Sequence, residues 1–175
     1  QYTGPSLKFE SDHVIAICGG DMQPKIDGTA VPLWESILIK KGQTLELSFC
    51  LTGARTYIAF SGSIQSELWL GSKSTFHKAA VGGIDGRAIQ EGQKISLGNS
   101  NSKIGKKIKA DGIPEMSKNG VWEIEVVRGP NDDWLDNNGY QTFLDAKWKL
   151  QARSDRTGFR LDGPLLSFNE KATNK

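Results

Sequence analysis

The sequence predicts a mainly β fold, with a few short helices. Three observations carry that expectation. Turn dipeptides recur: Asp-Gly or Asn-Gly stands at 27–28, 85–86, 111–112, 119–120, 138–139 and 162–163. Asn, Asp and Gly tolerate positive φ, so such pairs mark tight turns. Short apolar or alternating runs lie between them, and helical periodicity is scarce.

Taken in order, strands are expected at roughly 6–10, 13–18, 24–27, 29–33, 36–40, 44–49, 56–61, 94–97, 121–128, 147–152 and 158–162. The run VWEIEVVR (121–128) alternates best. The stretch 99–112 carries four Lys within 103–109 and reads as a solvated loop or a Lys-protected edge. A short turn of helix fits around 72–79. The main helical candidate is 130–148, with Pro130 and Asp132-Asp133 suited to a helix start. Asn138-Gly139 should break it, leaving a second short helix at about 139–146. So many short strands need barrel closure or a second sheet layer to protect their edges. The five Trp (34, 69, 122, 134 and 148) read as core or interface.

The 175 residues suit one domain, with room for part of a second. A net charge of +2 points to neither nucleic acid nor a membrane surface. No apolar run reaches the ~20 residues of a membrane span. Cys18 and Cys50 sit in apolar stretches and read as reduced, buried thiols. No sequon, signal peptide or targeting motif is seen, which favours a cytoplasmic setting. The absence of an initiator Met fits a fragment.

Several catalytic motifs fail on spacing. LGSKST (70–75) is not a P-loop, because Ser72 and Glu67 stand where glycines are needed. GGIDGR (82–87) lacks the dinucleotide-binding glycine spacing. His13 and His77 are the only histidines, so neither a zinc site nor a Ser-His-Asp triad is supported.

Five further motifs occur in a fixed order. They are Gly53/Arg55/Tyr57, Leu70–Thr75, Gly82–Ile89 followed by Gly92-Gln93, Gly129-Pro130, and SDRTGFRLDGP at 154–164. Together they make the chain, from Gly4 to about Phe168, resemble the biotin-dependent carboxyltransferases. That family includes allophanate hydrolase subunit 2, the carboxyltransferase region of urea amidolyase, and a subunit of bacterial 5-oxoprolinase. Two departures stand out: no T-x-x-D-x-G-R segment precedes Gln1, and Ser63 replaces a second glycine after Gly62.

The resemblance implies a cyclophilin-like β-barrel over 1–162. A second, truncated unit or tail would occupy 163–175, since GPLLSFNE (163–170) echoes GPSLKFE (4–10). It implies part of an enzyme that moves a carboxyl group from carboxybiotin to urea or a related amide nitrogen. Two alternatives stand beside this: a subunit of an ATP-dependent, biotin-free 5-oxoprolinase-type amidase, and a non-catalytic regulatory or assembly module. The implied activities are those of a carboxyltransferase, ligase and hydrolase, with the fragment inactive alone. Biotin would sit on a separate carrier domain, because neither Met22 nor Met116 precedes a Lys. ATP would be used elsewhere in the parent. Partners would be the remaining carboxyltransferase segments, the biotin carrier and biotin carboxylase domains, and a urea-like small molecule, with no nucleic acid or membrane.

Such chemistry needs cations, hydroxyls and backbone N–H groups around a planar carboxylate. The resemblance implies Arg55, Tyr57, Lys73 and Arg156 as catalytic. It implies Ser72, Ser74, Thr75, Arg87, Asp155 and Arg160 as substrate- or biotin-binding, with no metal. Structural roles remain open for the same residues. Ser and Thr at 72–75 suit a helix cap. Arg87 suits a surface ion pair. Asp155 and Arg156 suit a buried pair that clamps a loop.

Overall fold

The computed structural model describes residues 3–115, 125–155 and 157–173. The chain divides into two compact units, Gln1–Asn119 and Gly120–Lys175.

The first unit holds β1 (Ser6–Lys8), β2 (His13–Asp21), β3 (Lys25–Ile26), β4 (Thr29–Ala30), β5 (Ser36–Ile39), β6 (Thr44–Glu46) and β7 (Thr52–Phe60). Two antiparallel sheets result, ordered β1-β6-β3-β4 and β5-β2-β7. The β3–β4 hairpin turns through Asp27 and Gly28, at φ 47° and 82°, as the Asp-Gly pair predicts.

Alternation on β2 builds the core. Ile15 and Ile17 pair with Phe60 and Ile58 of β7. With Ile39 and Leu45 they are almost wholly buried and cluster with Phe9 and Ile26. Burying each such side chain contributes about 1.5–3 kcal/mol. The strand period of two sends Ala16, Cys18, Tyr57 and Ala59 to the other face of the same sheet. Near the end of β2 the register shifts between Gly19 and Asp21. Gly19 lies at φ 89°, and a Cβ there would come within 2.5 Å of the Arg55 carbonyl oxygen. Only glycine lets the two strands approach so closely.

The Lys-rich stretch lies along β5 rather than standing free. Gly105 N donates to the Ser36 carbonyl at 2.8 Å, Ser36 N donates to the Lys106 carbonyl at 2.9 Å, and Lys107 pairs with Glu35 at 2.8 Å. These bonds cover the outer edge of β5.

The second unit is lighter. A 3-10 turn (Asp132–Trp134) precedes α1 (Asn137–Asp145), followed by the two-residue strands β8 (Lys149–Leu150) and β9 (Leu161–Asp162) and a short α2 (Glu170–Thr173). Asn138-Gly139 does not break α1. Asp136 caps it, its Oδ1 accepting from Gly139 N at 2.7 Å, so the pair sits in the first turn.

The mainly β expectation holds, with few helices. Barrel closure is corrected: among the described residues the ladders end at β1 and β4, and at β5 and β7. No strand spans 94–97, where Leu97 makes only an isolated bridge to Ile64. The expected strand 121–128 lies partly outside the described residues, and 125–128 is not strand. Cys18 and Cys50 are free and half-buried rather than buried. No helix among the described residues is long and apolar enough to cross a membrane.

Candidate functional site

Arg55 and Tyr57 stand two apart on β7, on the face opposite Ile58 and Phe60. Tyr57 is exposed beside Cys18 of β2. Arg55 is half-buried, and its Nε is enclosed without a hydrogen-bond partner among the described residues. An enclosed guanidinium N–H without an acceptor costs about 1–3 kcal/mol or more. It is therefore a donor open to an acceptor, of which a carboxylate is one.

LGSKST forms a tight turn and an extended arm, not a helix cap. Trp69 and Ser72 exchange both backbone bonds, at 2.9 and 3.0 Å, around Leu70 and Gly71. Both central residues have positive φ, 50° at Leu70 and 77° at Gly71, which is a type I′ turn. Leu70 bears backbone strain there and is also 85% exposed. The helix expected around 72–79 is absent; 77–80 is a turn, closed by Phe76 N donating to the Val81 carbonyl at 2.8 Å.

The arm's side chains then separate by use. Ser72 Oγ accepts from Ser74 N at 3.1 Å. Lys73 Nζ donates to the Ile64 carbonyl at 3.1 Å, which fixes the ammonium beside the turn while leaving it exposed. Thr75 is half-buried, with its Oγ1 packed against the backbone of Gly83. Ser74 is exposed, and its hydroxyl has no partner among the described residues. Gly82 approaches the Ser74 carbonyl in the same way that Gly83 approaches Thr75, and an added Cβ would overlap its neighbour at either position. Sequence reasoning takes the glycine pair only as a motif and misses this packing. The signal is two adjacent glycines following an arm of hydroxyls. Arg87 is exposed, its Nε 3.4 Å from the Asp85 carbonyl, and forms no ion pair among the described residues.

The last motif lies in the second unit. Asp155 is exposed, and its Oδ1 accepts from Thr157 N at 2.7 Å. Arg156 lies outside the described residues. Arg160 is exposed and held by its backbone, its N donating to Ser154 Oγ at 2.9 Å and its carbonyl accepting from Gln151 N at 2.9 Å. Within the first unit, then, the structure joins Ser72 through Thr75 with Gly82 and Gly83. Neither Arg55 nor Tyr57 is hydrogen-bonded to that arm among the described residues. No group of His, Cys, Asp or Glu among the described residues is placed to hold a metal ion.

The family described as carboxyltransferase domain, subdomain A and B, matches residues 1–174. The chain belongs to this carboxyltransferase family. Urea amidolyase of Saccharomyces cerevisiae is 35% identical over 169 residues, covering 93% of this chain and 9% of that protein. A 5-oxoprolinase subunit of Escherichia coli is 29% identical over 163 residues, covering 92% of this chain and 50% of that one. Among solved structures, K. lactis urea amidolyase superposes with a TM-score of 0.85 at 29% identity, over 95% of this chain and 11% of that one. Kluyveromyces lactis urea carboxylase gives 0.84 at 29% identity, over 95% and 16%. The chain thus spans half or less of the length of these two curated relatives.

Proposed function

We propose that the chain is part of a biotin-dependent carboxyltransferase that delivers a carboxyl group to urea or a related amide nitrogen. The observation that carries this reading is the family match across residues 1–174, with its motifs in order. The residues fit the group to be handled: the unpartnered Arg55 Nε is a ready donor to a carboxylate. Biotin, held on another domain, supplies the transferable carboxyl group when bound. Arg55 orients a carboxylate and stabilises its charge. Tyr57, exposed beside it on the strand, donates to an oxygen. Lys73 adds a fixed cation, and Ser74 offers the arm's unused hydroxyl. Ser72 and Thr75 hold the arm in shape. Arg87, Asp155, Arg156 and Arg160 serve substrate binding. Urea-like acceptor, biotin carrier, biotin carboxylase and the remaining carboxyltransferase segments are the partners, in a cytoplasmic setting.

The test is urea- and bicarbonate-dependent ATP turnover by the intact polypeptide. Arg55→Ala should lower kcat/KM about 100-fold, and Arg55→Lys should recover only part, because a lysine lacks the planar fork. Turnover without any urea dependence would sink the reading.

A second reading rests on the coverage of half of the Escherichia coli 5-oxoprolinase subunit. In it, the same site belongs to an ATP-dependent, biotin-free amidase subunit. ATP hydrolysis that depends on 5-oxoproline and is insensitive to avidin would select it.

A further inference from the structure

Arg55 does not lie in a regular ladder. Gly19 of β2 pairs with Thr56 of β7, and Asp21 pairs with Thr52. One residue of β2, Gly20, therefore faces three of β7: Gly53, Ala54 and Arg55. The surplus makes a bulge in β7, and a bulge re-aims the side chains it carries. Tyr57, two residues on, is back in register opposite Cys18.

Three glycines make room for the bulge. Gly53 lies inside it at φ 80°. A Cβ on Gly19 would meet the Arg55 carbonyl oxygen at 2.5 Å and the Tyr57 ring at 3.1 Å. A Cβ on Gly20 would meet the Thr52 carbonyl oxygen at 2.9 Å and Ala54 N at 3.3 Å. The bulged backbone is also tied down. Thr56 Oγ1 donates to the Gly20 carbonyl, and Cys50 Sγ lies 3.1 and 3.3 Å from the Thr52 and Gly53 carbonyl oxygens. Arg55 thus leaves a backbone fixed on both sides, and its Nε is enclosed without a partner among the described residues. Strained backbone that ends on an unsatisfied polar group fits a donor held in place for a ligand.

We propose that Gly19, Gly20 and Gly53 are positioning residues for Arg55: the bulge they permit sets where its guanidinium lies. They act through Arg55 rather than on the substrate. The use of Arg55 on a carboxylate rests on the proposed function; the placement of its guanidinium does not.

The test uses the intact polypeptide and two readouts. One is turnover. The other is the rate at which phenylglyoxal modifies Arg55, followed by mass spectrometry of its peptide. Gly53→Ala disfavours the positive φ, and Gly53→Asn tolerates it better. Gly19→Ala drives a Cβ against the Arg55 carbonyl. Gly28→Ala is the control, because Gly28 has φ 82° in a hairpin with nothing within 4 Å of an added Cβ. Arg55 should be modified severalfold faster in Gly53→Ala and Gly19→Ala, as the guanidinium leaves its enclosure, while Arg87 and Arg160 keep wild-type rates. In both variants kcat/KM should fall about 10- to 100-fold, and Gly53→Asn should recover most of both changes. Gly28→Ala should lose stability yet match wild type in both readouts. Wild-type modification of Arg55 in Gly53→Ala and Gly19→Ala would overturn the inference, and so would the same changes in Gly28→Ala. If Gly19→Ala does not fold, the two Gly53 variants carry the test alone. Faster modification with undiminished turnover would support the positioning and sink the catalytic use of Arg55, so the two failures are told apart.

Discussion

Arg55 carries an Nε that is shut off from solvent and has no acceptor among the described residues. In a strand whose other face is packed, such a donor is costly unless a ligand or another segment supplies the missing partner. Gly83 acts by what it lacks. It sits at φ 61°, and an added Cβ would overlap Thr75 Oγ1. Gly83→Ala should lower stability by about 1–3 kcal/mol and displace the Ser72–Thr75 arm. A urea-unfolding midpoint equal to wild type would show that the arm yields freely. Asp136 is held below the usual carboxylate range, first by the Ser167 hydroxyl and then by Gly139 N. Its folded-state pKa is depressed, so its contribution is present above the ordinary carboxylate pKa and is lost as pH falls through the folded value. The protection of amides 137–140, the slowing of their exchange relative to an unstructured amide at the same pH, should therefore fall as pH drops below the ordinary carboxylate pKa. In Asp136→Ala the same amides should already be less protected at neutral pH and lose much less protection on acidification. An acid-induced loss of protection of equal size in the variant would remove Asp136 as its cause.

At the scale of elements, β2 and β7 show what the sequence revealed. VIAIC announced a strand, and the Ile15 and Ile17 alternation announced its buried face. Ile17→Ala should cost about 2–5 kcal/mol, read from chemical unfolding; a loss below about 1 kcal/mol would mean that the site collapses around the smaller side chain. Elements that depend on distant partners were harder to read. The stretch 94–97 has strand composition but finds only one bridge, at Leu97. Asn138-Gly139 is a turn signal in isolation, yet Asp136 converts it into a helix start. The arm at 72–75 stood out as a candidate because of its composition and its place among the ordered motifs. Its geometry was not legible, because it depends on Leu70 accepting positive φ and on glycines further along the chain, at 82 and 83.

For the whole molecule, the motifs pointed to the family, while the division of labour between the two units came only from burial. Composition averages over the chain and cannot show that the buried hydrophobic side chains among the described residues all lie in the first unit.

The placement of that core also bears on the order in which the chain is made. All the buried hydrophobic residues among those described, and both sheets of the first unit, are contained in the stretch ending at Phe60. During synthesis this nucleus is available before the arm at 72–75, the Lys-rich edge cover and the second unit have emerged, and domains fold as units from the N-terminal side. The growing chain would carry a finished scaffold first. The loops at 72–75 and 82–87 would then be laid onto that scaffold.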